Sequence, residues 1–142
     1  MQEWALWALA SAVFAALTAI FAKVGLEGVD SNFATFIRTL VIAAALILFL
    51  TYAKKWQPLG ELSARNWLFL TLSGLATGAS WLAYFKALQM GSASQVAPID
   101  KLSVVLVVVF AVIFLGERPS AREWIGIALI ASGVFTLVFA NK

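Results

Sequence analysis

Polar and charged residues are gathered into a few short clusters along the chain, and five apolar stretches run between them. The stretches cover about 4–24, 32–53, 66–89, 95–115 and 122–140. Each holds 19 or more residues, and about 20 helical residues cross the apolar core of a bilayer. The clusters carry the turn and charge signals expected of connectors: 25-GLEGVDS-31, 54-KKWQPLGELSAR-65, 91-GSAS-94 and 116-GERPSA-121. None is long enough to form a second domain, so residues 1–142 read as one domain. The first stretch lacks a basic segment before its apolar run, and Lys23 follows the run. It therefore reads as a retained helix rather than a cleaved leader. The pattern predicts an all-α polytopic membrane protein, a bundle of five transmembrane helices.

Composition narrows the class. Of 142 residues, 63% are hydrophobic and 12% charged, and the mean hydropathy is +0.95. Soluble domains run at about 45–50% apolar and about a quarter charged. A soluble fold would lack the polar surface to cover this chain, so the lipid bilayer is its expected partner. The net charge of +3 is small and scattered, which argues against nucleic acid. The chain has no Cys and no His. A disulfide framework, most zinc sites and His-based acid/base catalysis are therefore excluded. With no H-E-x-x-H or G-x-S-x-G pattern either, no enzyme, metal or cofactor is expected.

An odd number of spans puts the two chain ends on opposite sides of the membrane. Five of the six tryptophans (Trp4, Trp7, Trp56, Trp67 and Trp124) then fall at the N-terminal side, as an interfacial aromatic belt. Lys54, Lys55, Arg65, Arg118 and Arg122 lie on that side, against Lys23, Lys86 and Lys142 near the other. The bias weakly favours the N-terminal side as cytoplasmic, and it is small enough to permit insertion in both orientations.

Three charges lie deeper. Arg38 is six residues past Asn32, and Lys101 six past Gln95, with Asp100 at nearly the same depth. At ~1.5 Å per residue they sit roughly 9 Å inside the boundary. A charge at a span centre costs about 2.5–3.5 kcal/mol on insertion scales, so these groups are expected to face the bundle or a wet cavity. Three arrangements are open: an Arg38–Asp100 ion pair, a net positive wall receiving an anionic or zwitterionic substrate, and snorkelling to the interface. Neighbours on a helix diverge by ~100°, so Asp100 and Lys101 are expected to point apart. One of them would pair with Arg38 and leave a spare positive charge. Pro98 removes a backbone donor and predicts a kink or an opened turn.

The third span carries a polar and aromatic stripe of Ser73, Thr77, Ser80, Trp81, Tyr84 and Leu88 at helical spacing. It reads either as a pocket wall, with Trp81 and Tyr84 as stacking surfaces, or as helix packing. Lys86 and Lys23 read as snorkelling cations. Gly74 and Gly78 form G-x-x-x-G, which lets another helix approach, and Gly126 and Gly133 read as packing positions.

The run 75-LATGASWLAYFKALQMGSASQVAPIDKLSVVLVVVFAVIFLGERPS-120, with Gly126 and 130-IASGV-134, resembles the EamA domain of the drug/metabolite transporter superfamily. The segment 25-GLEGVDSNFATFIRT-39 is similar to the short five-span members. The proline early in the fourth span and the later L-G-E are the most telling residues. Longer relatives carry two such units in opposite orientations, so the resemblance implies a homodimer here, antiparallel through dual topology or parallel. Related small multidrug exporters use a first-span glutamate to exchange protons for cationic drugs. Span 4–24 has no acid, which speaks against that mechanism.

The expected function is a secondary transporter of a small polar metabolite, anionic or zwitterionic, working by alternating access across a dimer. A bacterial or archaeal cytoplasmic (inner) membrane is the expected location. Arg38 and Lys101 would hold a negative group, Asp100 would position one of them or meet an amine, and Trp81, Tyr84, Ser80 and Thr77 would line the site. The alternatives are an accessory membrane subunit without transport of its own and a proton-coupled exporter of cationic drugs.

Overall fold

Helices form where the chain is apolar, and they stop where side chains or backbone can satisfy their ends. The computed structural model describes residues 3–139, and among them it contains no strand. Helix α1 runs Glu3–Gly25 and α2 Ser31–Tyr52. Asp30 starts α2 by accepting the backbone N–H groups of Asn32 (2.9 Å) and Phe33 (3.1 Å) on one carboxylate oxygen, which satisfies two donors that no helical turn can reach. At its other end Lys54 takes a left-handed φ of 51°. Its N–H reaches the Thr51 carbonyl (3.3 Å), and that of Lys55 reaches Leu50 (3.0 Å). These two bonds make a Schellman cap, and the Trp56 indole N–H adds a bond to the Thr51 hydroxyl at 3.2 Å.

A 3-10 turn, Leu59–Glu61, leads to α3, Ala64–Met90. The Ser63 hydroxyl accepts the Asn66 N–H at its start, 3.1 Å. The fourth span is broken: α4 is Ala93–Asp100, α5 is Leu102–Phe110, and a π-helical turn follows over Ala111–Leu115. Gly116 closes it at φ 68°, directing its N–H to Ala111. A residue without Cβ adopts that conformation at little cost. Helix α6, Ala121–Phe139, begins with a capping box. Ser120 N–H donates to the Glu123 carboxylate (2.6 Å), and Glu123 N–H donates to the Ser120 hydroxyl (3.4 Å).

Five helical stretches are long and apolar enough to cross a membrane: Glu3–Gly25, Ser31–Tyr52, Ala64–Met90, Ala93–Leu115 and Ala121–Phe139. Large apolar side chains cover their outer surfaces, Leu48 at 70% exposure and Leu129 at 67% among them. Water would not tolerate such a surface and acyl chains do, so the protein is integral to a membrane. Six threonine hydroxyls along the spans are satisfied locally, while the buried Ser31 hydroxyl has no hydrogen-bond partner among the described residues. Thr18, Thr35, Thr39, Thr51, Thr77 and Thr136 each donate to the carbonyl four residues earlier, at 2.8 Å.

The chain divides into two compact units. One runs from Ile20 to Met90; the other holds the residues up to Ala19 and those from Gly91 onward. In the first, α2 packs antiparallel on α3. At the end of the pair away from their connector, the Gln89 amide donates to the Val29 carbonyl at 3.0 Å, and Leu26 and Leu88 are both buried. In the second, α6 packs against α4 and α5.

Glycine packing differs from the sequence expectation. Among the described residues, nothing in its own unit lies within 4 Å of where a Cβ would sit at Gly74, Gly78, Gly126 or Gly133. These positions are therefore not close helix crossings within a unit.

Candidate functional site

Arg38 projects from α2 onto α3. Its guanidinium lies over the Trp81 ring, 3.4 Å from the centroid, and 5.3 Å from the Phe85 centroid. Trp81 and Phe85 are one helical turn apart on α3, so both rings face α2 together. They meet edge to face at 5.6 Å, and Trp81 meets Tyr84 the same way at 5.7 Å. Phe85 is buried at 2% exposure, while Arg38, Trp81 and Tyr84 are half-buried. A ring face attracts a cation through its quadrupole, by ~0.5–2 kcal/mol depending on desolvation. It holds the guanidinium in place without neutralising it. Among the described residues of this unit, no carboxylate pairs with Arg38.

Of the sequence-predicted residues, Arg38, Trp81 and Tyr84 are thus brought together. Thr77 and Ser80 stand exposed on the preceding turns of α3, with the Thr77 hydroxyl turned back to the Ser73 carbonyl at 2.8 Å. Phe85 was not among the predicted residues. Its signal was available in its place four residues after Trp81.

Asp100 and Lys101 lie in the other unit, and their geometry corrects an expectation. Rather than pointing apart, they pair with each other, ammonium to carboxylate at 3.5 Å. Uninterrupted helical geometry would separate them, but α4 ends at Asp100 and α5 begins at Leu102. At that break the long lysine side chain can swing back to its neighbour. Pro98 stays inside α4, and the interruption falls three residues beyond it. There the Lys101 N–H bonds to the Pro98 carbonyl, 3.0 Å, in a tightened turn. Asp100 is half-buried and Lys101 exposed.

Lys23 departs from its reading as a snorkelling cation. Its ammonium donates to the Leu88 carbonyl at 2.6 Å, close to the C-terminal end of α3. Carbonyls there have no helical donor and the helix dipole is negative, so a cation is stabilised. Among the described residues, no group of three or more acidic, Cys or His side chains is arranged to hold a metal.

One unit thus holds a cation resting on rings, and the other holds an ion pair at a broken helix. Residues 2–139 match the EamA-like transporter family. The chain belongs to that family. A Sinorhizobium protein described as "Uncharacterized transporter in cobO 3'region" is 55% identical over 136 residues, covering 96% of each chain. The Bacillus subtilis (strain 168) "Uncharacterized transporter YxxF" is 29% identical over 135 residues, covering 94% of this chain and 42% of that relative. No solved structure matches. The EamA-like membership and these relatives point to a transporter rather than an enzyme.

Proposed function

We propose that the protein is a secondary carrier for a small anionic or zwitterionic metabolite, working by alternating access across a homodimer in a prokaryotic cytoplasmic membrane. The observation that carries the reading is Arg38, held on Trp81 and Phe85 with its charge uncompensated by any carboxylate of its unit among the described residues. Arg38 binds the negative group, and Trp81 and Tyr84 offer apolar contact beside it. Lys101, partly offset by Asp100, is a second and weaker polar station, where Asp100 either positions the ammonium or meets an amine. Ser80 and Thr77 line the approach along α3. The same rings argue against export of cationic drugs, since the protein's own guanidinium already occupies the surface that such a cation would seek. The second protomer supplies what the other half supplies in double-length relatives, and the near balance of positive charge on the two sides suits an antiparallel pair.

Uptake into vesicles containing only the purified protein tests this reading against a panel of small anions, zwitterions and cations. The wild-type protein is expected to move an anion or zwitterion. Arg38→Ala is expected to lower that flux by about 10- to 100-fold, the loss typical of one charge-assisted contact. Full flux in a folded Arg38→Ala protein, or flux of cations alone, would overturn the assignment.

A further inference from the structure

The valence and shape of the substrate follow from what surrounds Arg38. The carboxylates of its unit are Glu27, Asp30 and Glu61. Asp30 is committed to capping α2. Glu27 lies in the connector before α2, and Glu61 in the turn Leu59–Glu61 on the opposite connector. The guanidinium therefore contributes one positive charge that its unit leaves unbalanced. Lys101 does not add a full second charge, because Asp100 stands 3.5 Å from its ammonium.

In a medium of low dielectric, one positive charge offsets one negative charge, and a second negative charge would stay uncompensated. The donor geometry is equally restrictive. Ring contact covers a face of the guanidinium, whereas its five N–H groups radiate in the guanidinium plane. An edge of that kind fits a carboxylate, through two parallel N–H···O bonds. The half-buried Trp81 and Tyr84 beside it would receive an apolar or aromatic group, and no acid among the described residues of the unit pairs with the guanidinium.

We infer, resting on the carrier reading above, that the substrate is a monocarboxylate bearing an apolar or aromatic portion. Arg38 is the specificity-determining residue that disfavours dianions, and Phe85 is the second ring that holds its plane. The inference selects among the anions and zwitterions of the broader reading, and it predicts that an added ammonium weakens binding.

The test is calorimetric titration of the full chain in nanodiscs of zwitterionic lipid. The probes are phenylacetate, phenylalanine, phenylethylammonium and inorganic phosphate at about pH 8, where phosphate is mostly doubly charged. Phenylacetate is expected to bind at least about tenfold tighter than the other three. Arg38→Lys keeps the charge but loses the planar fork, and is expected to weaken phenylacetate by about tenfold or more. Phe85→Leu is expected to weaken it by a few-fold, roughly what a ring–cation contact supplies. Equal binding of phosphate or phenylalanine, an unchanged Arg38→Lys protein, or no phenylacetate binding would overturn the inference. Vesicle flux separates the two readings. Phenylacetate binding with no flux of any solute sinks the carrier and leaves the selectivity standing; flux of another solute class without phenylacetate binding does the reverse.

Discussion

Arg38 and Lys101 lie about two turns inside their spans, and the protein treats them in opposite ways. Lys101 is answered by the acid beside it in sequence, at 3.5 Å across a break in the fourth span. Arg38 is answered by rings from another helix, the nearer at 3.4 Å. An ion pair cancels charge over a few ångströms. A ring–cation contact fixes position and leaves the charge for an incoming anion. On the carrier reading proposed above, the difference separates a group that keeps the span insertable from one that would bind substrate, and proximity to an acid, rather than depth alone, distinguishes them.

The largest effect that could break this contrast is on Arg38's support. Trp81→Ala removes a half-buried ring and the surface under the guanidinium. Thermal unfolding in detergent should show a loss of about 2 kcal/mol, below the ~3–5 kcal/mol of fully buried Trp→Ala changes. Combined with Arg38→Met, the two losses should overlap by about 1 kcal/mol, which is the ring–cation coupling. Additive losses would mean that the stack contributes nothing.

A smaller effect sharpens the other side. Asp100→Asn leaves the Lys101 ammonium without its carboxylate and should cost about 1 kcal/mol, because the pair is partly exposed. Asp100→Asn with Lys101→Met should recover most of that loss in the same assay. No recovery would show that each residue serves a separate partner.

The smallest expected change sets the baseline. Thr136→Val should shift stability by less than about 0.5 kcal/mol, since among the described residues that hydroxyl bonds the Ser132 carbonyl of its own helix. A larger loss would reveal a partner across helices and remove the contrast between self-contained and cross-helix polar groups.

The five spans were legible because each required only a long apolar run between turn signals, and every span end within residues 3–139 fell within about two residues of the expected one, although the break at Lys101 inside the fourth span was not expected there. Residue 140 and Lys142 lie outside the described residues. Arg38, Trp81 and Tyr84 were legible as polar or aromatic groups too costly to scatter into lipid. The pairing of Asp100 with Lys101 was not, because ideal helix geometry was assumed through a point where the helix stops. Nor was Lys23 on Leu88, since a backbone carbonyl near a helix end offers no sequence signal. Phe85 was hidden by its type: in so apolar a chain, one more phenylalanine reads as lipid contact until its spacing from Trp81 is counted.

The threonines that close on their own helices have a mechanical consequence. Their hydrogen bonds travel with the helix that makes them, so a span can turn or slide against a neighbour without surrendering one. What such a helix presents sideways is a methyl group, which grips weakly and lets go cheaply. Helices built this way would suit the alternating-access carrier proposed above, because those threonines have no polar partner to exchange as their helices move.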